Sequence, residues 1–262
     1  MKTLKGKTAF ITGASSGIGE AFATELAAKG CHLILTARSE ANLLRNAEKL
    51  RHRFAVKVTV YAGDLSQKET PQRLFDQTRK DQLSVDILVN NAGVGKWTNF
   101  LEQPMESYAS MLQLNIDAPV ALTHLFLPDM LKNKDGGIIN VASTGAFQPC
   151  PYIAVYGASK SFVLNFSEAL YGEYHSKGVT VTCICPGNTD TGFQKEANAD
   201  TKGMPSDSPE KVAQEGIKAL LNGKASHVAG TSNYLTSLLP RILPRRSVIH
   251  IVSKMMNPRV NL

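Results

Sequence analysis

Residues Thr8–Gly19 read TAFITGASSGIG. Thr8–Thr12 is an apolar run of strand length. Glycines follow at Gly13, Gly17 and Gly19, and an alanine-rich segment of helical character runs over Gly17–Lys29. In a strand–turn–helix unit, three such glycines permit a tight turn, a close backbone approach to phosphate, and close helix–strand packing. Unpaired N–H groups at the start of the helix would meet a pyrophosphate. The stretch therefore predicts a dinucleotide-binding unit.

The pattern repeats outward from it. Strands are predicted at His32–Thr36, Val56–Tyr61, Ile87–Asn90, Gly137–Val141, Val179–Cys185 and His227–Ala229. Helices are predicted between them at Glu40–Arg53, Gln67–Gln82, Met105–Ile116, Pro119–Leu131 and Ile153–His175, and a further helix is capped by Ser208 with Pro209 at its first position. Right-handed crossovers make this alternation a single doubly wound α/β domain of Rossmann type, a parallel sheet with helices on both faces. Ligands of such sheets bind at the carboxyl ends of the strands.

Those ends carry hydrogen-bonding or small residues. The second strand runs into LILTARSE, with Arg38 where an NAD-preferring site usually has an acid for the ribose 2′-OH. An arginine suits a 2′-phosphate, with Ser15 and Ser39 as added hydroxyl donors. Asp64 in AGDLS either accepts from an adenine amino group or caps the segment after it. NNAG (Asn90–Gly93) is small enough to pass beside a ribose. INVAS puts Ser143 at the sheet edge, and CICPGNTDT brings Pro186, Gly187, Thr189 and Thr191 there. In VYGASKS, Tyr156 and Lys160 stand four residues apart, on one face of a helix.

Taken in order, TGASSGIG, NNAG, Asn115, Ser143, YGASK and PGNTDT make the chain similar to the short-chain dehydrogenase/reductase family over roughly residues 6–230. The resemblance implies an NADP(H)-dependent oxidoreductase with the catalytic set Asn115, Ser143, Tyr156 and Lys160. It implies a phosphate loop of Gly13, Ser15, Ser16, Gly17, Ile18 and Gly19. Asp64 and Leu65 would hold the adenine, and Asn91, Ala92 and Gly93 the ribose beside it. Pro186, Gly187, Thr189 and Thr191 would hold the nicotinamide and pyrophosphate. Lys160 would bond the nicotinamide ribose, and the backbone of Asn115 would anchor a water leading to Lys160.

The chemistry is consistent with those residue types. Hydride transfer to a carbonyl leaves charge on oxygen, so a proton donor is required. A phenol titrates near 10, and a nearby ammonium and a cationic nicotinamide are expected to lower that value. Ser143 would stabilise the developing charge. Phe147, Cys150 and Tyr152 lie between Ser143 and Tyr156, so they are expected on the substrate wall, which suits an apolar or acyl group near a ketone; the resemblance, through NNAGVG and the extended tail, implies a 3-oxoacyl or hydroxysteroid-like carbonyl. The polar stretch from Thr189 to Asp207 is expected to act as a lid. A non-catalytic NADP-binding sensor or scaffold of the same fold is the alternative, although such proteins usually have a broken catalytic set. The resemblance implies a homodimer or homotetramer that pairs through Pro119–Leu131 and Ile153–His175, and the second helix carries Phe162, Phe166, Ala169 and Leu170 near helical spacing.

Composition narrows the rest. The chain has 262 residues, 43% of them hydrophobic, with a net charge of +7. No run approaches the roughly 18 apolar residues of a membrane span. Cys31, Cys150, Cys183 and Cys185 show no metal-ligand spacing and predict buried free thiols and a cytoplasmic setting. Basic and aromatic residues do not interleave, which argues against nucleic acid as a partner. From Gly216 onward there are seven bases and no acid, so the whole positive excess sits in the C-terminal part. Residues 1–230 thus form the dinucleotide-binding and catalytic domain, and 231–262 a basic amphipathic extension. Pro240 and Pro244 are expected to interrupt its helix, with three amphipathic turns after Pro244. Two readings of the extension stay open. It packs on its own domain or a sister subunit, or it docks on a membrane or an acidic carrier.

Overall fold

Alternating side chains along the first strand divide the core into two layers. In the computed structural model, which describes residues 3–260, β1 (Thr8–Thr12) sends Ala9 and Ile11 to one face and Phe10 to the other. The first layer holds Leu26, Leu33, Leu43 and Ile217. The second holds Ile34, Leu74, Leu88, Leu122 and Ile138. Full burial of one such side chain contributes about 1.5–3 kcal/mol, so a sheet covered on both faces is strongly favoured.

Among the described residues the sheet has seven strands, all parallel. After β1 come β2 (His32–Ala37), β3 (Val58–Ala62), β4 (Ile87–Asn90), β5 (Gly136–Val141), β6 (Val179–Cys185) and β7 (Ser226–Val228). Their spatial order is β3-β2-β1-β4-β5-β6-β7, which reverses direction between β1 and β4. That reversal opens a crevice at the carboxyl edge. The helices are α1 (Gly17–Ala28), α2 (Glu40–Phe54), α3 (Thr70–Lys80), α4 (Met105–Leu112), α5 (Ala118–Asn133), α6 (Ala154–Tyr174), the short α7 (Phe193–Glu196), α8 (Pro209–Leu221), α9 (Thr231–Ile242) and α10 (Arg245–Met256).

Three boundaries differ from expectation for identifiable reasons. The third strand starts two residues late, because Ala55 ends α2 in the left-handed region at φ 55° and the chain must still turn. α3 starts at Thr70 rather than Gln67, because Asp64–Thr70 is spent on consecutive turns. The two helices predicted over 105–131 are one continuous helix. A π turn at Gln113–Asp117 joins them, with the Ala118 N–H reaching the Gln113 carbonyl five residues back. Pro119 cannot supply the regular hydrogen bond to the Asn115 carbonyl, and the widened turn accommodates that loss.

The extension also departs from expectation. Pro240 lies inside α9 and does not break it. Only the Thr236 carbonyl loses a helical partner there, and Thr236 is exposed, so water can replace the bond. The break comes at Leu243, which is extended (ψ 145°) as a residue before proline tends to be. α10 then buries Val248, Val252 and Met256 against Trp97, Tyr152 and Ile153. Arg259 donates to the Asp200 carbonyl at 2.8 Å. Residues 245–259 therefore pack on the chain's own core.

Candidate active site

The carboxyl edge holds a cleft of about 500 Å³ that runs from the glycine turn to α10. At one end the backbone is built for close approach. Gly13 and Gly17 have φ of 66° and 58°. A Cβ on Gly13 would lie 2.7 Å from Asn91 Nδ2, and one on Gly17 would lie 3.0 Å from the Thr191 methyl. Ser16 starts α1 without a side-chain cap. The first N–H groups of that helix thus face the cleft, in an arrangement suited to an anion. Behind the turn, Asn46 Nδ2 donates to the Ala14 and Ser15 carbonyls at 3.3 and 3.2 Å.

One hydroxyl ties two strand ends together. Thr12 Oγ1 accepts from the Asn91 and Ala92 N–H groups at 2.9 and 3.0 Å and donates to the Val89 carbonyl at 3.2 Å. Asn91 Nδ2 returns a bond to the Thr12 carbonyl at 2.9 Å. Asn91 and Ala92 are held against the glycine turn as a result, and Gly93 follows beside Asn115 and Lys160. Asp64 Oδ1 accepts from the Ser66 N–H and hydroxyl at 3.0 and 2.8 Å, a local turn that sets the carboxylate on the cleft wall beside Leu65.

Arg38 and Ser39 stand at the mouth beside Asn42. Ser39 Oγ caps α2 by accepting from the Asn42 N–H at 3.5 Å. Arg38 reaches across to Glu196 of α7, with Nη2 to Oε1 at 3.9 Å. Ser15, Ser16, Ile18, Pro186, Gly187, Thr189 and Thr191 also line the cleft. Gly19 does not. A Cβ there would collide with the Gly13 carbonyl and come within 2.5 Å of Asn91 Nδ2, so this glycine serves helix–turn packing.

Ser143, Tyr156 and Lys160 converge at the other end. Ser143 lies two residues past β5 and caps the 3₁₀ turn at Thr144–Phe147, its Oγ accepting from the Gly145 N–H at 3.1 Å. Burial pushes the half-buried Tyr156 phenol up to about 12, against the opposing effect of its hydrogen bond with Ser143. The value expected from neighbouring cations was a lowered one. Desolvation outweighs the ammonium here, since Lys160 Nζ turns toward the Val141 carbonyl (2.9 Å) and sits 5.8 Å from the centre of the Tyr156 ring. Burial likewise holds Lys160 down to about 8. Asn115 lies behind them, outside the cleft wall. Its side chain accepts from the Val94 N–H (3.0 Å) and donates to the Val94 carbonyl (2.9 Å) and to Ser159 Oγ (3.1 Å).

The expected substrate wall is only partly present. Cys150 lines the cleft, its thiol pushed up to about 11 by burial and therefore neutral. Phe147 instead packs on Ala142, Ala146, Val163 and Leu164, because the 3₁₀ turn at Thr144–Phe147 rotates it inward. Tyr152 sits behind the wall against α10 and a small side cavity. Residues passed over in the sequence fill the space: Trp97, Gln148, Ile153, Phe193, Met204 and the tail residues Val252, Met255 and Met256. Apolar periodicity marked Val252, Met255 and Met256 as one helix face, but no pattern in the sequence says that this face closes a site over 90 residues away.

A family model described as short chain dehydrogenase matches residues 7–202. An uncharacterized oxidoreductase of Staphylococcus saprophyticus is 33% identical over 228 residues, covering 87% of this chain and 96% of that protein. The very-long-chain 3-oxoacyl-CoA reductase of Anas platyrhynchos is 34% identical over 187 residues, 69% of this chain, and the match spans 59% of that protein. A short-chain dehydrogenase from Sphingobium yanoikuyae in complex with NADPH superposes with a TM-score of 0.82 at 27% identity, covering 93% of this chain and 95% of that one. A short chain dehydrogenase/reductase from Burkholderia phymatum in complex with NAD superposes at 0.83 with 25% identity, covering 96% of each.

Proposed function

The chain belongs to the short chain dehydrogenase family, and on that premise we propose that it reduces a ketone of apolar surroundings to an alcohol with NADPH, reversibly. It is an oxidoreductase of CH–OH and C=O groups that uses a nicotinamide cofactor. The observation carrying the reading is the convergence of Ser143, Tyr156 and Lys160 at one end of a cleft whose other end is a glycine-built anion cradle.

The cradle fits a dinucleotide. Gly13, Ser15, Ser16, Gly17 and Ile18 would take the pyrophosphate, and Asp64 and Leu65 the adenine. Asn91, Ala92 and Gly93 would take the neighbouring ribose, with Pro186, Gly187, Thr189 and Thr191 at the nicotinamide end. Arg38, with Ser15 and Ser39, favours a 2′-phosphate and hence NADP(H) over NAD(H). When bound, that cofactor supplies the hydride.

The protein supplies the proton and the fit. A phenol near 12 is protonated at neutral pH, so Tyr156 holds the proton that the carbonyl oxygen needs. Ser143 donates a hydrogen bond to the same oxygen as charge develops. Lys160 orients the ribose and passes protons onward, and the Asn115 carbonyl, freed by Pro119, anchors a water on that route. Trp97, Ile153, Phe193, Val252 and Met256 favour an apolar chain or ring beside the carbonyl, in keeping with 3-oxoacyl or hydroxysteroid-like substrates.

Four buried free thiols fit a reducing compartment, and we place the protein in the cytoplasm. No helix among the described residues is long and apolar enough to cross a membrane. Exposed Phe162, stacked on Phe166 with ring centres 5.8 Å apart, gives α6 an apolar outer face suited to pairing with a second copy. The acid-free basic tail suits an anionic surface, either a membrane or an acidic carrier. The test of the activity is NADPH consumption over a panel of ketones and 3-oxoacyl thioesters. Tight NADPH binding with no turnover on any of them favours a nucleotide sensor instead.

A further inference from the structure

The two tail helices turn opposite kinds of face inward. α10 buries its apolar side, as amphipathic helices do. α9 does the reverse. Its buried residue is Ser237, whose hydroxyl donates to the Tyr234 carbonyl at 2.7 Å. Beside it, Asn233 Nδ2 donates to the Ala229 carbonyl at 2.8 Å and to Asp207 at 3.1 Å. The outward face carries Leu235, Leu239 and Ile242, which are 60%, 49% and 78% exposed. Their spacing of four and three residues makes one stripe along the helix. Tyr234 and Leu243, both exposed, extend it. A contiguous apolar stripe turned to solvent marks an interaction site.

Cations frame the stripe. Arg241 lies on α9, and Arg245 and Arg246 follow the bend at Pro244. All three are exposed, and among the described residues none is in an ion pair. No acid occurs anywhere from Gly216 to the end of the chain.

We propose that α9 and the Pro244 bend form a docking face for an anionic lipid bilayer. Leucine and isoleucine side chains enter the acyl boundary while the arginines meet the headgroup phosphates. The proposal rests on the reading that the basic tail meets an anionic surface and does not require the carbonyl-reductase reading. Twelve residues give a helix about 18 Å long, which lies in the plane of the interface and does not span it. A second copy is a poorer occupant, because a two-fold contact would set the same arginines against one another. A bilayer offers apolar depth and negative charge together. α10 continues from this face into the cleft wall through Val252, Met255 and Met256, so docking brings the apolar end of the cleft beside the membrane.

The test is co-sedimentation of the full chain with vesicles of phosphatidylcholine alone, or of phosphatidylcholine with phosphatidylglycerol, at low and raised salt. The expected result is binding to the anionic vesicles only, weakened by salt. Leu235→Gln/Ile242→Gln and Arg245→Glu/Arg246→Glu should each lower the binding on the order of tenfold or more, with NADPH affinity unchanged as the sign of an intact fold. The proposal is overturned by absent binding to anionic vesicles, by equal binding to both kinds, or by wild-type binding in the α9 variant. A dimer that Leu235→Gln/Ile242→Gln dissociates also overturns it and gives the face to a second copy. Capture of an acidic carrier protein without vesicle binding overturns it in the carrier's favour. Lost vesicle binding with ketone reduction intact refutes docking alone, and the converse refutes only the proposed activity.

Discussion

Lys160 Nζ, on a buried side chain of α6, donates to the Val141 carbonyl at the end of β5 at 2.9 Å. One backbone oxygen is a modest partner for a buried ammonium, and burial holds Lys160 down to about 8 from its usual 10.5. The folded state therefore binds this proton more weakly than the unfolded chain does. Below about pH 8 both states carry the proton and the cost of burying the charge is fully present. Between about pH 8 and 10.5 the folded state sheds it first, so the Lys160 contribution rises by on the order of 3 kcal/mol across that window. Tyr156 acts with opposite sign at higher pH. Its raised value makes folding lose stability from about 10 up to about 12. Urea midpoints of wild type and Lys160→Met, compared from pH 7.5 to 10, should converge or cross in favour of wild type as pH rises. A difference that stays flat with pH would show that the ammonium is not destabilised by its site.

Tyr156→Phe keeps the ring that packs on Phe193, at 5.6 Å between centroids, and removes only the hydroxyl. Turnover should fall by 10³-fold or more, since general acid–base catalysis alone contributes roughly 10²–10⁴-fold. NADPH affinity should stay within a few-fold of wild type. Fluorescence titration of NADPH beside steady-state turnover separates the two effects. Retained turnover in this variant rules out Tyr156 as the proton donor.

Much of the fold could be read from periodicity, because strands buried on both faces leave continuous apolar runs such as FIT and ILVN, and the glycine turn marks the first crossover. Helix joints were less legible. The π turn at Gln113–Asp117 depends on how Pro119 is accommodated in space, and the passage of α9 through Pro240 depends on an exposed carbonyl. Site residues adjacent to a strand end could be located from the chain alone. Phe147 and Tyr152 could not, because proximity in sequence to Ser143 and Tyr156 does not say which way a 3₁₀ turn rotates a side chain. The roles of Trp97, Glu196 and α10 arise from contacts between distant segments, which leave no local pattern.

Gly19 tests the cradle separately from the chemistry. A methyl there meets the Gly13 carbonyl and Asn91 Nδ2, both fixed by backbone or by the bonds to Thr12, so the turn has to move. Overpacking of this kind costs about 1–3 kcal/mol. Gly19→Ala should lower the melting temperature and weaken dinucleotide binding by tenfold or more. Gly172→Ala, at a position with open space around its Cβ, should do neither. Calorimetry of both variants with and without NADPH checks the contrast, and equal behaviour of the two would show that packing at Gly19 does not shape the cradle.

On the proposed reading, Arg38 sets the cofactor preference. Its guanidinium lies 3.9 Å from Glu196, and the two side chains are 65% and 64% exposed. An exposed pair at that distance is worth little, at most about 1 kcal/mol, so it offers weak competition to a phosphate. A charge-assisted bond to a 2′-phosphate is worth roughly 1.5–3 kcal/mol. Arg38→Asp removes that bond and puts a like charge opposite the phosphate. The kcat/KM for NADPH should fall by about 10–100-fold or more while that for NADH changes little, which reverses or abolishes the preference. Glu196→Gln should act the other way and improve NADPH use slightly, by freeing Arg38. The measurement is the NADPH-to-NADH ratio of kcat/KM in the three proteins under one salt condition. A wild type that already favours NADH would leave Arg38 as a solvated charge at the mouth of the cleft.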